Sequence, residues 1–351
     1  MKKERMQGLD IIRTLAIFFV FLIHMIAITE ATKSDVADIK WGIMNVARFL
    51  ALNCVPLFLL LTGFLQSRKR LTLRHYTGGI PLIFSYLSVS AIVALLYTTE
   101  FGAPGDRVDR LILHIFDFSF GYAWYVEMYL CIFLLIPFLN ILFDALEQRG
   151  QLALIGVLVL LTMVPSLVGN FQVTGIWFEI IPDFLENMYV IAYYFIGAYI
   201  ARYRPSPKKF WCVIASIIVL LGETLAVWLW RDSEYSWHIC NEFNCLTHAV
   251  VSVCIFLFFY DIKPNCRALN FVFGEISVCS FEMYLLSYFT DKWFYKYLPL
   301  APWQVLIVNF VVCYLCVKVL RVVLVPAGKN LRILAERICA KIINRNNVGK
   351  A

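Results

Sequence analysis

The sequence predicts an all-α polytopic membrane protein of about ten transmembrane helices with both termini in the cytoplasm. Three observations predict it. Hydrophobic residues make up 61% of the chain and charged ones 16%, against about 45–50% and ~25% in soluble domains. The apolar residues fall in runs close to the ~20 needed to cross a bilayer as a helix. The 31 Lys and Arg residues sit in short clusters between those runs, as the positive-inside rule expects. The net charge of +7 is therefore read as membrane topology, and nucleic acid is excluded as a partner.

The candidate spans, in order, lie near 11–30, 43–66, 80–98, 122–143, 151–168, 187–202, 210–231, 246–262, 271–290 and 303–325. The sixth is short and the ninth carries several polar residues. All are read as helices, because unpaired backbone is too costly in lipid and the alternation of a barrel is absent. The first run is too long for a signal-peptide core and has no small-x-small cleavage site, so it reads as a retained span.

With the N-terminus inside, 22 Lys and Arg fall in inner segments and at inner span ends, and 7 on the outer side; the remaining two, Arg13 and Arg48, lie well within spans. This bias sets both termini in the cytoplasm. Residues 1–325 form the transmembrane domain and 326–351 a basic amphipathic tail. In "NLRILAERICAKIINR", Leu331, Leu334, Ile338 and Ile342 recur at helical spacing, which suits a helix lying on the inner leaflet or a less ordered tail. Most of the eleven cysteines lie in apolar runs and read as small buried hydrophobes. Cys240 and Cys245 share a polar loop and would pair if it faces an oxidising compartment. No metal-ligand spacing appears, so no metal is expected.

The charges at membrane depth carry the functional signal. Arg13 and His24 are eleven residues apart in the first span. Eleven helical steps return to within about 20° and climb about 16 Å, so both side chains leave one side of one helix. A charge at mid-membrane costs roughly 2.5–3.5 kcal/mol even on lenient scales, which favours a polar interior over lipid. The alternatives are snorkelling for Arg13 and an interhelical hydrogen bond for His24. Counting from the span ends puts His24, Arg48 and Glu127 within a few ångströms of one depth, with Glu223 and Glu282 comparable. Such a layer is either a catalytic group or a set of structural ion pairs. His248 falls at the outer edge of its span, and His75, His114 and His238 fall in loops.

These residues resemble the acyltransferase-3 family of integral membrane acyltransferases. "LDIIRTLAIFFVFLIH" is similar to that family's opening motif and contains Asp10, Arg13 and His24. "ARFLALNCVPLFLLLTGFL" resembles its second-span pattern through Arg48, Pro56, Phe58, Thr62 and Gly63. "QSRKRLTLRHY" looks like its basic turn, and "AWYVEMYLCIFLLIPFLN" and "SVCSFEMYLLSYF" resemble later stretches. Where the last often ends in histidine, this chain has Ser287. The esterase-like second domain of some members is not expected here, which implies that a partner enzyme, or none, is needed.

The resemblance implies transfer of an acyl group, usually acetyl, from cytosolic acyl-CoA to a hydroxyl of a cell-envelope glycan or lipid-linked sugar at a bacterial inner membrane. No permanently bound cofactor is implied; acetyl-CoA is a donor substrate. His24, Arg13, Arg48 and Glu127 become the catalytic candidates. Arg68, Arg70, Arg74, Asp10, Trp124 and Tyr125 become the substrate-binding candidates. An extended pantetheine arm is comparable in length to the Arg13–His24 rise. Trp124 and Tyr125 would stack on a sugar ring or anchor the helix at the interface. The alternative is a transporter or flippase for lipid-linked sugars, which also tolerates buried charge. That class often carries internal repeats, and none is found in this sequence.

Overall fold

The computed structural model describes residues 5–29, 39–101, 123–168, 172–173, 176–177, 181–229 and 242–348. Cys240, His114 and His238 lie outside them. The described residues are almost all helical, with one short antiparallel ladder pairing Gln172 with Trp177 and Val173 with Ile176. Seven helical stretches are long and apolar enough to cross a membrane: Gln7–Thr29, Ile39–Gln66, Leu73–Phe101, Trp124–Asp144, Lys209–Leu229, Arg267–Tyr297 and Pro302–Ile342. The fifth, sixth and eighth predicted spans also coincide with helices, but those are shorter: Gln148–Thr162, Tyr189–Tyr203 and Leu246–Phe259. Apolar side chains open outward along these elements. Val319, Val322 and Val323 are 72%, 74% and 69% exposed, a face that suits lipid rather than water.

The chain divides into two compact units. The first comprises Met1–Arg68, Leu142–Ser280 and Leu298–Leu306. In it, α1 (Gln7–Thr29) meets α2 (Ile39–Ala51) and α3 (Cys54–Gln66), and α3 crosses α10 (Tyr189–Tyr203). That crossing is set by two glycines facing each other's partner backbone. A Cβ at Gly63 would lie 2.0 Å from the Tyr194 carbonyl oxygen, and one at Gly197 would lie 2.2 Å from that of Leu60. Only hydrogen fits there, so two apolar helices approach backbone to backbone. Leu57, Leu59 and Leu60 on α3 and Tyr193, Tyr194 and Phe195 on α10 are fully enclosed around it. The buried Tyr193 hydroxyl donates to the Phe243 carbonyl at 3.1 Å.

The predicted second span is two helices, not one. Pro56 has no N–H to give the Leu52 carbonyl, so the ladder breaks at Leu52–Asn53 between α2 and α3. Asn53 repairs part of the damage: its Nδ2 donates to the carbonyls of Phe49 at 2.8 Å and Leu50 at 3.2 Å. The same unit holds α7 (Gln148–Thr162), α8 (Pro165–Val168), α9 (Asp183–Glu186), α11 (Lys209–Leu229) and α12 (Leu246–Phe259).

The second unit comprises Lys69–Ile141, Phe281–Tyr297 and Ile307–Ala351. It holds the single turn α4 (Leu73–Thr77), α5 (Ile80–Phe101) and most of α6 (Trp124–Asp144). The later parts of α13 (Arg267–Tyr297) and α14 (Pro302–Val348) also belong to it. His75, expected in a loop, is on α4 and buried. It stacks on Phe133 with ring centroids 4.3 Å apart and bonds that residue's carbonyl at 2.9 Å. The tail is helical and continuous with the last apolar run. Leu331, Leu334, Ile338 and Ile342 are exposed along it.

Candidate active site

Within the first unit, α1 carries Arg13 and His24 on one unbroken helix, so the eleven-residue spacing keeps them on one side of it. Both are half-buried, while Ile12, Ala16, Ile17 and Phe21 of the same helix are fully enclosed. Arg13 donates from Nη1 to Ser277 Oγ at 2.8 Å and lies 4.0 Å from Asp10 Oδ1. Asp10 is buried, and it accepts from Arg5 Nε at 2.6 Å, from Arg5 Nη2 at 3.0 Å and from Ser277 Oγ at 2.8 Å. Arg5 also donates to the Gly274 carbonyl at 2.8 Å. The hydrogen bond to Asp10 raises the Arg5 pKa above its ordinary value, its proximity to Asp10 and Glu275 adding to that against partial desolvation. Two guanidiniums therefore share one buried carboxylate beside an orienting hydroxyl. Asp10 is fully occupied with protein groups; it fixes the direction of the arginines.

Arg48 is buried in the last turn of α2, with its guanidinium carbon 5.5 Å from the centre of the Phe49 ring. Phe49 in turn lies 6.4 Å from the His248 ring. His248, expected at a span edge, is wholly buried, and its Nδ1 is 3.2 Å from Glu223 Oε1. Phe49, Leu52, Leu220, Val227 and Val251 form the apolar cluster around this pair, and Ile23, the neighbour of His24, packs against the same cluster. Thus Phe49, the neighbour of Arg48 in the last turn of α2, packs beside a buried His–Glu pair, and Ile23 brings the part of α1 that holds His24 against the same cluster. Interrupted helices in apolar surroundings commonly mark sites, because backbone off the regular ladder needs polar company.

The remaining candidates belong to the second unit or to its border with the chain before it. Trp124 and Tyr125 open α6 edge to face at 6.2 Å, and Tyr125 meets Tyr284 at 5.8 Å. Glu127 is half-buried in the first turn of α6. Glu282 is buried and bound: Arg321 Nη1 donates to both of its oxygens at 2.8 Å. This is the ion-pair reading for Glu282. Arg68 and Arg70 are exposed, and Arg74 lines a cavity. Ser287 is buried and donates to the Tyr284 carbonyl at 2.8 Å, one turn back on its own helix.

Sequence reasoning missed Arg5, Ser277, the Glu223–His248 pair and the partner of Glu282. Pro56 was the available signal for the broken helix. Ser277 opens a quoted motif, yet nothing local marks it as the partner of Arg13.

The family model described as an acyltransferase domain, acyltransferase-3, matches residues 6–322. The chain belongs to the acyltransferase-3 family. The match takes in α1 and nearly all the apolar length of the chain, so the arginine–histidine helix lies within the family domain. No curated protein and no solved structure matches the chain. For an acyltransferase-3 chain the described geometry has two chemically distinct parts in its first unit. One is the charged cluster that fixes Arg13; the other is a half-buried imidazole, His24, on the same helix.

Proposed function

We propose that this acyltransferase-3 chain is a membrane O-acyltransferase. It moves an acetyl or related acyl group from acyl-CoA to a hydroxyl of a cell-envelope glycan or lipid-linked sugar, in a bacterial inner membrane. Ten spans with both termini cytoplasmic complete the reading. Three short helices beside the seven longer stretches, and the bias of 22 inner to 7 outer basic residues, support it. The observation that carries the proposal is α1 itself: one unbroken helix in a family acyltransferase domain, with Arg13 anchored near one end and His24 about 16 Å along the same side.

In this reading Arg13, held by Asp10 and Ser277, meets a phosphate of the donor, since a guanidinium matches phosphate in a two-point fork. Arg68, Arg70 and Arg74 are assigned to the remaining phosphates. His24 is the general base, the role imidazole most often takes in such transfers. It removes the proton from the acceptor hydroxyl as that oxygen attacks the thioester carbonyl. The negative charge that develops on the carbonyl oxygen is stabilised by Arg48, an effect worth a few kcal/mol in oxyanion sites. The C–S bond then breaks, and the thiolate of coenzyme A takes the proton back from His24. Glu127, Trp124 and Tyr125 are assigned to the acceptor on the sequence reading alone.

The test is compositional analysis of envelope glycans from cells with and without the gene. Ester-linked acyl groups that vanish with the gene and return with the wild-type copy support the proposal. A glycan unchanged in acylation but mislocalised across the membrane would replace it with the flippase reading.

A further inference from the structure

A cavity of about 590 Å³ in the second unit is lined by Leu73, Arg74, Lys329, Arg332, Ile333 and Glu336. One wall is the single turn α4, capped by Thr72, whose hydroxyl accepts from the His75 N–H at 3.3 Å. The other wall is the tail end of α14. Two contacts hold the walls together. At Gly328 an added Cβ would lie 3.1 Å from Pro81 Cα, so the tail helix closes on the start of α5. Two turns further on, Thr77 Oγ1 donates to Glu336 Oε1 at 3.1 Å. Lys329, Arg332 and Glu336 recur on one face of that helix, between and at these contacts.

The charge of the cavity is lopsided: three cations, Arg74, Lys329 and Arg332, face one carboxylate. That carboxylate is committed to the protein. It accepts from Thr77 and from Arg332 Nε at 3.0 Å, and so fixes the plane of the guanidinium. An oriented arginine beside a second arginine and a lysine is a binder for a multiply charged oxyanion. The walls are also partly apolar, through Leu73 and Ile333, which are 43% and 38% exposed, and the neighbouring Leu331 and Leu334 are exposed too.

We propose that this cavity binds a phosphate ester with an organic body attached, either an anionic lipid head group or the phosphates of the soluble acyl donor. The donor alternative rests on the function proposed above; the lipid alternative does not. In both, Lys329 and Arg332 of the tail supply the charge and Arg74 completes it.

The test uses the purified full chain in two arms. One compares lipid retention by native mass spectrometry after reconstitution in phosphatidylcholine discs with and without phosphatidylglycerol. The other measures coenzyme A binding calorimetrically in phosphatidylcholine discs. The variants are K329Q/R332Q, the charge-conserving R332K, and R337Q as an exposed control outside the cavity. In one arm the double variant should weaken binding about tenfold or more and R332K by less, because it keeps charge but loses the fork. R337Q should bind like wild type, and that arm names the ligand. Wild-type affinity of the double variant in both arms, or no binding of either probe to wild type, overturns the proposal. Neither arm reads acyl transfer, so failure here is distinct from failure of the enzyme reading.

Discussion

Asp10 decides how the cations at the start of α1 point. It accepts from Arg5 and Ser277 and lies 4.0 Å from Arg13. Asp10→Asn removes the charge that gathers them, and hydrogen bonds to charged groups are worth about 1.5–3 kcal/mol. The expected outcome is a KM for acyl-CoA raised about tenfold, with a smaller change in kcat; steady-state kinetics at varied donor concentration measure it. Glu282 predicts a different signature. Arg321→Met leaves a buried carboxylate without its cation, and the loss of stability should be about 3–5 kcal/mol. The double variant Arg321→Met/Glu282→Met should recover most of it, read by thermal unfolding in detergent. At this scale Arg13 and Arg48 were legible because a charge stands out in an apolar run. Ser277, Arg321 and the Glu223–His248 pair were not. Serine is unremarked in a membrane helix, Arg321 looks like an inner-surface cation, and each partnership joins positions far apart in sequence.

Among the helices, the α3–α10 crossing and the α2–α3 break give unit one its form. Gly63→Ala and Gly197→Ala each put a methyl within 2.0 Å or 2.2 Å of a partner carbonyl oxygen. Backbone cannot move aside as a side-chain tip can, so each should destabilise the protein by at least the ~1–3 kcal/mol typical of overpacking. Gly156→Ala and Gly222→Ala, where nothing lies within 4 Å, should melt like wild type. The helices themselves were legible, since each predicted apolar run falls on helix, the second on two of them. Their interruptions were less so. A hydropathy window averages over Leu52–Asn53, and only the missing N–H of Pro56 betrays the break. Gly63 appeared within a motif, but the close approach that requires it is set by α10, over a hundred residues away.

For the molecule as a whole, the topology and the chemistry make separate predictions. The proposed placement of both termini on the cytoplasmic side predicts that fluorescent-protein fusions at either end fluoresce and alkaline phosphatase fusions at either end are inactive. An active phosphatase at the C-terminus would call for an odd number of spans. The membrane class was legible because composition and charge bias are sums over the whole chain, insensitive to any one contact. The proposed catalytic arrangement is not such a sum. It depends on which side of α1 faces a polar interior, and the sequence reaches that only through the spacing of Arg13 and His24. The most direct test is acyl transfer from labelled acetyl-CoA by purified His24→Ala, with insertion and thermal stability matched to wild type. The account predicts a rate about 10²–10⁴-fold lower, with donor affinity little changed. Transfer at the wild-type rate would contradict it.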